Sequence, residues 1–372
     1  STISTPAHPT PGYAKVGWGI SADNGTTIDT PYIKKLSFSA AGITATGIDN
    51  STFMLTNPVD LWVVWESFTP ARIAVIMADT KEFVVVTSEQ FNQLLEYANG
   101  NNTYKTFSGA TIKLMTDVSA TYASGGLKNF AGTIEGNKHT VTLSNGYALV
   151  TGTLTGKIKN LKASGTVNKS SETSSSKHIG AFAENVSSAN AEISYCVNTA
   201  AVSFNSTFSW CGGIADKLTS GTIKYCSNEA NITNSGTSNC YAGGIVGYQD
   251  GGSVVACYNS GNNSAKTDAA GIVADMSGSS ASITQCYNTG VNTTNGASKA
   301  GLVGYLRGAG ITYSYTINTT SIYNSNYSSY SNCLTTAPAQ GASGFTGSPW
   351  KWSAAKGRPV LDGVGTEGGW AP

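Results

Sequence analysis

Apolar residues in this chain come in short runs separated by turn-forming residues. In the first eighty positions the runs fall at Ile33–Phe38, Phe53–Leu55, Leu61–Trp65 and Ile73–Met77, each of strand length. They predict a small all-β module over 1–80, sandwich-like, behind a Pro-rich opening. No run approaches the ~18 residues of a membrane span. Thr111 to Val118 alternates apolar with polar, as a half-buried strand does. One segment has a different period. Thr87 and Gln90 form a T-x-x-Q capping box, Phe91, Leu94, Leu95 and Ala98 mark one face, and Gly100 offers a stop. A helix is therefore predicted near 88–98, placed to cap the strands on its C-terminal side.

The middle of the chain is a repeat. "EISYCVNTA", "TIKYCSNEA", "SVVACYNSG" and "SITQCYNTG" set Cys196, Cys226, Cys257 and Cys286 at steps of 30, 31 and 29. Asn198, Asn228, Asn259 and Asn288 stand two places after them, and Ile193, Ile223, Val254 and Ile283 three places before. A fifth unit carries Ile311 and puts Ser314 where a cysteine is expected. A second phrase ("IGAFA", "GGIAD", "GGIVG", "AGIVA", "AGLVG") keeps pace through Gly180, Gly213, Gly244, Gly271 and Gly301. Two phrases holding a period of ~30 residues through five units suit a β-solenoid. The offset from Ile283 to Cys286 is odd, so alternation within one strand cannot bury both; a corner between them can. The key glycines let the backbone turn or approach a neighbour.

Composition agrees. Charged residues make up 12% of the chain, about half the usual ~25%, and Gly contributes 43 of 372 residues. Hydrophobic residues at 40% exclude a disordered chain. A net charge of +1 leaves no basic footprint for nucleic acid. The chain opens on Ser1 rather than Met, which reads as a processed or truncated form whose signal or lipid-anchor segment, through which anchoring is expected, has been removed.

"GGIVGYQDGGSVVACYNSG", "AGIVADMSGSSASITQCYNTG" and "GGIADKLTSGTIKYCSNEA" resemble the Glug repeat of large bacterial surface proteins, including the non-catalytic parts of some immunoglobulin-A-cleaving proteases. "FAGTIEGNKHTVT" resembles the opening of such arrays and "WKWSAAKGRPVL" their ending. The resemblance runs from Val84 to Gly363 and is most specific over 179–318. It implies a right-handed parallel β-helix over 81–363, a tail over 364–372, and an exported surface protein of the gut Bacteroidetes type, adhesin-like. It transfers no catalytic residue. The Gly and Cys/Asn positions are structural ones.

The chemistry-bearing residues gather into no catalytic centre. No C-x-x-C exists and the three histidines stand apart from the cysteines, so neither a metal nor any other cofactor is expected. Stacked parallel strands hold Cβ atoms ~4.8 Å apart, too far for a disulfide, so the four column cysteines are expected as buried free thiols. Cys211 and Cys240 are the pair to bridge if any does. His178 reads as a solvated loop histidine, and Glu135 and His139 as parts of a turn. Aligned on the key glycines, the fourth residue onward gives Glu184, Lys217, Tyr248, Asp275 and Tyr305, and the third Ala183, Asp216, Gly247, Ala274 and Gly304. No acidic column forms, so the chain is expected not to be an enzyme. Tyr258, Tyr287 and Tyr315, one place after the column, are expected outward as a ligand-binding row.

The expected function is a monomeric cell-surface adhesion module that displays a rigid face to a host or microbial glycan or surface protein. The alternatives are a β-helix polysaccharide lyase or glycosidase, and a stalk that presents residues 1–80.

Overall fold

The computed structural model describes residues 14–20, 33–39, 42–47, 52–55, 61–169, 177–294, 298–306, 310–312, 314–316, 333–334 and 338–364. The chain is mostly β-strand, and its two larger sheets are predominantly parallel.

Five N-terminal strands, Ala14–Ile20, Ile33–Ser39, Gly42–Gly47, Thr52–Leu55 and Leu61–Glu66, form one antiparallel sheet. The first strand lies between the second and the fifth. The expected strand at Ile73–Met77 is instead part of helix α1, Pro70–Ala78. An unbroken apolar run fits a buried helix as well as a strand. Here the start decides. Thr69 caps the helix, its side chain accepting from the Arg72 amide at 3.2 Å, and Pro70 stands in the first turn, where its missing N–H costs nothing. Ile73, Ile76 and Met77 then fall on one buried face. They share a core with Phe68 and Phe83 and with the array beyond.

Helix α2, Ser88–Asn99, forms where expected. Thr87 accepts from the Gln90 amide at 3.2 Å, while the Gln90 side chain accepts from Val86 at 2.9 Å, one residue earlier than the standard box. Phe91, Leu94, Leu95 and Ala98 are buried. The opposite, polar face has a separate task. The strand Val118–Ala120 ends its sheet among the described residues. Ser88 accepts from the Ser119 amide (2.9 Å), and Asn92 donates to the Ser119 carbonyl (2.8 Å) while accepting from Thr121 and Tyr122 (2.7 and 2.9 Å). Asn99 donates to the Gly126 carbonyl at 2.8 Å. Helix side chains thus satisfy backbone groups that another strand would otherwise satisfy.

From Glu82 onward the strands stack in parallel. Phe83, Ile112, Ile134, Ile158, Ile193, Ile223, Val254, Ile283 and Ile311 form one register column. The column extends the repeat four units upstream of the cysteine series. The segment Asn239 to Ala265 shows how a unit is built. Asn239–Gly243 runs in a five-stranded parallel sheet, Val246–Gln249 and Ser253–Val255 in a second sheet, and Tyr258–Asn259 and Asn263–Ala265 in a third. The expected corner between Ile and Cys is present. The residue before each cysteine takes a left-handed backbone: Tyr195 (φ 53°), Tyr225 (56°), Ala256 (49°) and Gln285 (55°), with Asn160 (51°) one unit earlier. A left-handed residue reverses the facing of the chain, so the Ile and the Cys three places on both point inward.

The key glycines face the asparagines. A Cβ on Gly213, Gly244 or Gly271 would overlap the Cγ of Asn228, Asn259 or Asn288 respectively. The two phrases keep step in sequence because they touch across each unit. Gly180 is a correction. Gly180 pairs with Gly212 and Ala183 with Ala215, so Ala181 holds the position expected for Gly180.

The C-terminal segment differs from expectation too. In place of the parallel β-helix expected through 363, Trp350–Ser353 and Arg358–Leu361 form an antiparallel hairpin paired with no other strand among the described residues. The expected tail, 364–372, lies outside the described residues save Val364.

Candidate functional site

The tyrosine row is not a free surface. Tyr258 and Tyr287 do point away from the array's interior core, but each is 0% exposed. Their rings stack at 5.4 Å and 7°, beneath Phe345, Trp350, Leu361 and Val364 of the C-terminal segment. The ligand-binding role expected of them is therefore corrected: the chain's own hairpin covers them. Tyr315 lies in register with Tyr287, and its side chain falls outside the described residues.

The cysteine column is buried and unbridged, as expected for Cys196, Cys226, Cys257 and Cys286. Each thiol donates to the carbonyl two residues before it, at 3.2–3.4 Å. Cys211 and Cys240 are also buried and free. Cys211 pairs with Ala242 and Cys240 with Ser209, so the two stand two residues out of register. Burial pushes the Cys226, Cys257 and Cys286 thiols well above the ordinary range, and it does the same to Cys211, helped by the Asp216 charge. These are packing groups, not nucleophiles. Iodoacetamide at pH 8 is expected to leave all six unlabelled in the native chain and to label them in guanidinium, as read by mass. Because folding raises these pKa values, the thiols' contribution to stability is complete below the unfolded value of ~8.5 and is lost as pH rises from there through the folded values.

Asn198, Asn228, Asn259 and Asn288 form a hydrogen-bonded ladder, each amide donating to the next at 2.7 Å. Each also donates to the carbonyl two residues on, which holds the turn after it. Glu135 and His139 do not pair. Glu135 accepts from Asn160 at 2.8 Å, and His139 faces Asp117 at 3.4 Å.

The outward aromatic surface lies elsewhere. In the five-stranded sheet, His178, Trp210, Tyr241, Asp268 and Ser298 are register neighbours. His178 thus lies in a strand, not in the expected loop. Buried Ser209, Cys211, Cys240 and Ala242 flank Trp210 and Tyr241, so alternation points both rings outward. The rings stack at 5.5 Å and 12°. Phe208 meets Trp210 edge-on at 4.8 Å, and Tyr248 reaches it from the neighbouring sheet at 5.3 Å. Tyr248 belongs to a second row, Asn185, Lys217, Tyr248, Asp275, Tyr305. The Lys217 ammonium lies 5.4 Å from the Tyr248 ring centre, and the Tyr248 hydroxyl is 2.7 Å from Ser277 Oγ. Four half-buried aromatic rings from two sheets therefore meet at one corner.

Acids flank this corner. Ala183 opposite Ala215 and Asn185 opposite Lys217 set Glu184 beside Asp216. The sequence alignment missed this pair through the one-residue slip at Gly180. Two units on, Asp268 continues the Trp210 row and Asp275 the Tyr248 row. Glu184 accepts from the Gly152 amide at 2.6 Å, and Asp216, Asp268 and Asp275 are buried. Half-buried aromatic faces grouped in this way can hold a polyhydroxylated ligand, the rings packing on its apolar face. Among the described residues no group of three His, Cys, Asp or Glu is placed to hold a metal ion. No helix among them is long and apolar enough to cross a membrane.

No family model and no curated protein matches this chain. Solved structures do. A candidate immunoglobulin A1 protease from Bacteroides ovatus superposes with a TM-score of 0.50 at 17% identity, over 76% of this chain and 93% of that one. An IgA1 protease superposes at 0.45 and 15% identity, over 82% of this chain and 25% of its own length. Likeness at this identity concerns the fold. It still corrects one expectation: a protein of similar fold bears a protease's name, so the reading of this chain as a non-enzyme does not stand.

Proposed function

We propose that the array is a right-handed parallel β-helix of the Glug type, part of an exported adhesin-like surface protein, and that it binds carbohydrate at the corner of Trp210, Tyr241 and Tyr248. The stacked Trp210–Tyr241 pair carries this reading. Its rings stand on hydrogen-bonded strands, so little side-chain freedom is lost when a ligand docks. Export is supported by the fold shared with a protein named for cutting an immunoglobulin, an extracellular substrate. Glycan-array binding is expected to fall at least tenfold in a Trp210→Ala/Tyr241→Ala chain whose circular dichroism is unchanged. Equal binding by both chains would sink the proposal.

A second reading, a β-helix carbohydrate-active enzyme, is favoured by the carboxylates at the same corner. Glycosidases need two acids ~5–10 Å apart, one on each side of the bond broken. Release of reducing ends from polysaccharide, abolished by Asp275→Asn, would distinguish catalysis from binding.

A further inference from the structure

The C-terminal hairpin is held to the array differently from every repeat unit. A repeat unit bonds its neighbours strand to strand through the backbone. The hairpin pairs only with itself among the described residues. Side chains dock it. Phe345, Trp350, Leu361 and Val364 build an apolar cluster with Val197, Ala256, Tyr258 and Tyr287, separate from the interior core of the array. Trp350 lies 5.6 Å and Phe345 6.0 Å from the Tyr287 ring. The Arg358 guanidinium sits over both stacked tyrosines, 5.8 Å from Tyr258 and 5.6 Å from Tyr287, and donates to Thr289 Oγ1 at 2.7 Å. The Tyr287 hydroxyl donates to the Pro359 carbonyl at 2.6 Å.

We propose that this hairpin is a detachable strap: an intramolecular ligand that leaves its seat as one unit while the array stays folded. The seat is a docking surface for a hairpin that presents an arginine between aromatic and aliphatic groups, and its occupant is the chain's own hairpin. Three features combine to give this behaviour. A two-stranded hairpin alone is marginally stable in water, so it is ordered only while docked. Its cluster is small and lies outside the main core, which places it among the segments that open below the global unfolding free energy. Its seat persists without it, because Tyr258 and Tyr287 are fixed by the strands Tyr258–Asn259 and Tyr287–Asn288 and by their own stacking. The attraction of the guanidinium for the two rings, with its hydrogen bond to Thr289, sets the register of docking as well as its strength.

Two measurements on the full-length chain test this. In native hydrogen exchange, the amides of Lys351, Ser353 and Val360 are expected to exchange at least a hundredfold faster than those of Ile134 and Ile158. Exchange of the hairpin only at the rate of those array strands would overturn the proposal. In the second, a fluorescent peptide of residues 343–364 is added to the wild-type chain and to a Trp350→Ala/Arg358→Ala chain. The peptide is expected to bind the double variant at least tenfold more tightly than the wild type, whose seat is occupied. Failure to bind a double variant that keeps its β-sheet circular dichroism would overturn the proposal, as would equal binding to both chains. Should the double variant not fold, the exchange measurement on the wild type decides.

Discussion

Asn259→Ala is expected to cost the array about 3–6 kcal/mol, among the largest effects of any single substitution in it. Asn259 is 0% exposed and sits mid-ladder. Its amide donates to the Gly261 carbonyl and to Asn288 Oδ1, both at 2.7 Å, and its own oxygen accepts from Asn228 at 2.7 Å. Alanine removes one hydrogen bond from each of three buried groups; Asn228 Nδ2 keeps the Ala230 carbonyl and Asn288 Oδ1 keeps the Gly290 amide, and each buried bond left unmade costs about 1–3 kcal/mol. Asn198 is the internal control. It stands at the start of the ladder, with Ala163 behind it, so no asparagine donates to it from that side. Its oxygen accepts instead from the Ala200 amide at 2.9 Å, so Asn198→Ala loses as many hydrogen bonds but only one ladder link where Asn259→Ala loses two, and should cost less by that link. Urea unfolding followed by circular dichroism reads both, and equal losses would show that the ladder's continuity adds nothing.

Gly244→Ala should be nearly as damaging. Its backbone is not left-handed, so strain in φ is not the cause. Space is: a Cβ there would overlap the Gly271 carbonyl oxygen and the Asn259 side chain. Overpacking of this kind costs about 1–3 kcal/mol, and more where the obstacle is backbone. Part of the obstacle is Asn259 itself. In an Asn259→Ala background the added methyl should cost about 1 kcal/mol less or better, a coupling that a double-mutant cycle measures directly. Strict additivity would mean that the glycine serves some purpose other than making room for the asparagine.

That contact explains how much was legible in advance. The period, the inward cysteines, the corner before them and helix α2 were all readable, because each leaves a mark every thirty residues or at a capping box. The reading failed where the mark was not periodic. Ile73 to Met77 is one apolar run whose helical form depends on Thr69 and Pro70 ahead of it rather than on alternation. The outward direction of Tyr258 and Tyr287 followed from alternation, but their cover comes from residues about seventy positions away with no share in the repeat. Trp210 and Tyr241 leave no periodic mark, because their row runs His178, Trp210, Tyr241, Asp268, Ser298 with no residue type kept from unit to unit. The Glu184–Asp216 pairing was hidden by a single-residue slip, enough to move a side chain to another row.

The polar face of α2 has a consequence for length. The four units from Ile193 to Asn288 offer their neighbours the same column of an aliphatic residue, Cys and Asn, so nothing within such a unit counts how many units precede it. A stack built this way behaves like a linear polymer, and its size is set by terminators rather than by monomers. Ser88, Asn92 and Asn99 form such a terminator, imitating the hydrogen-bonding edge of a strand while ending in a helix that accepts no further strand. Units could be duplicated or lost in the middle of the gene without redesigning the end, and the end would still keep one chain from growing onto another.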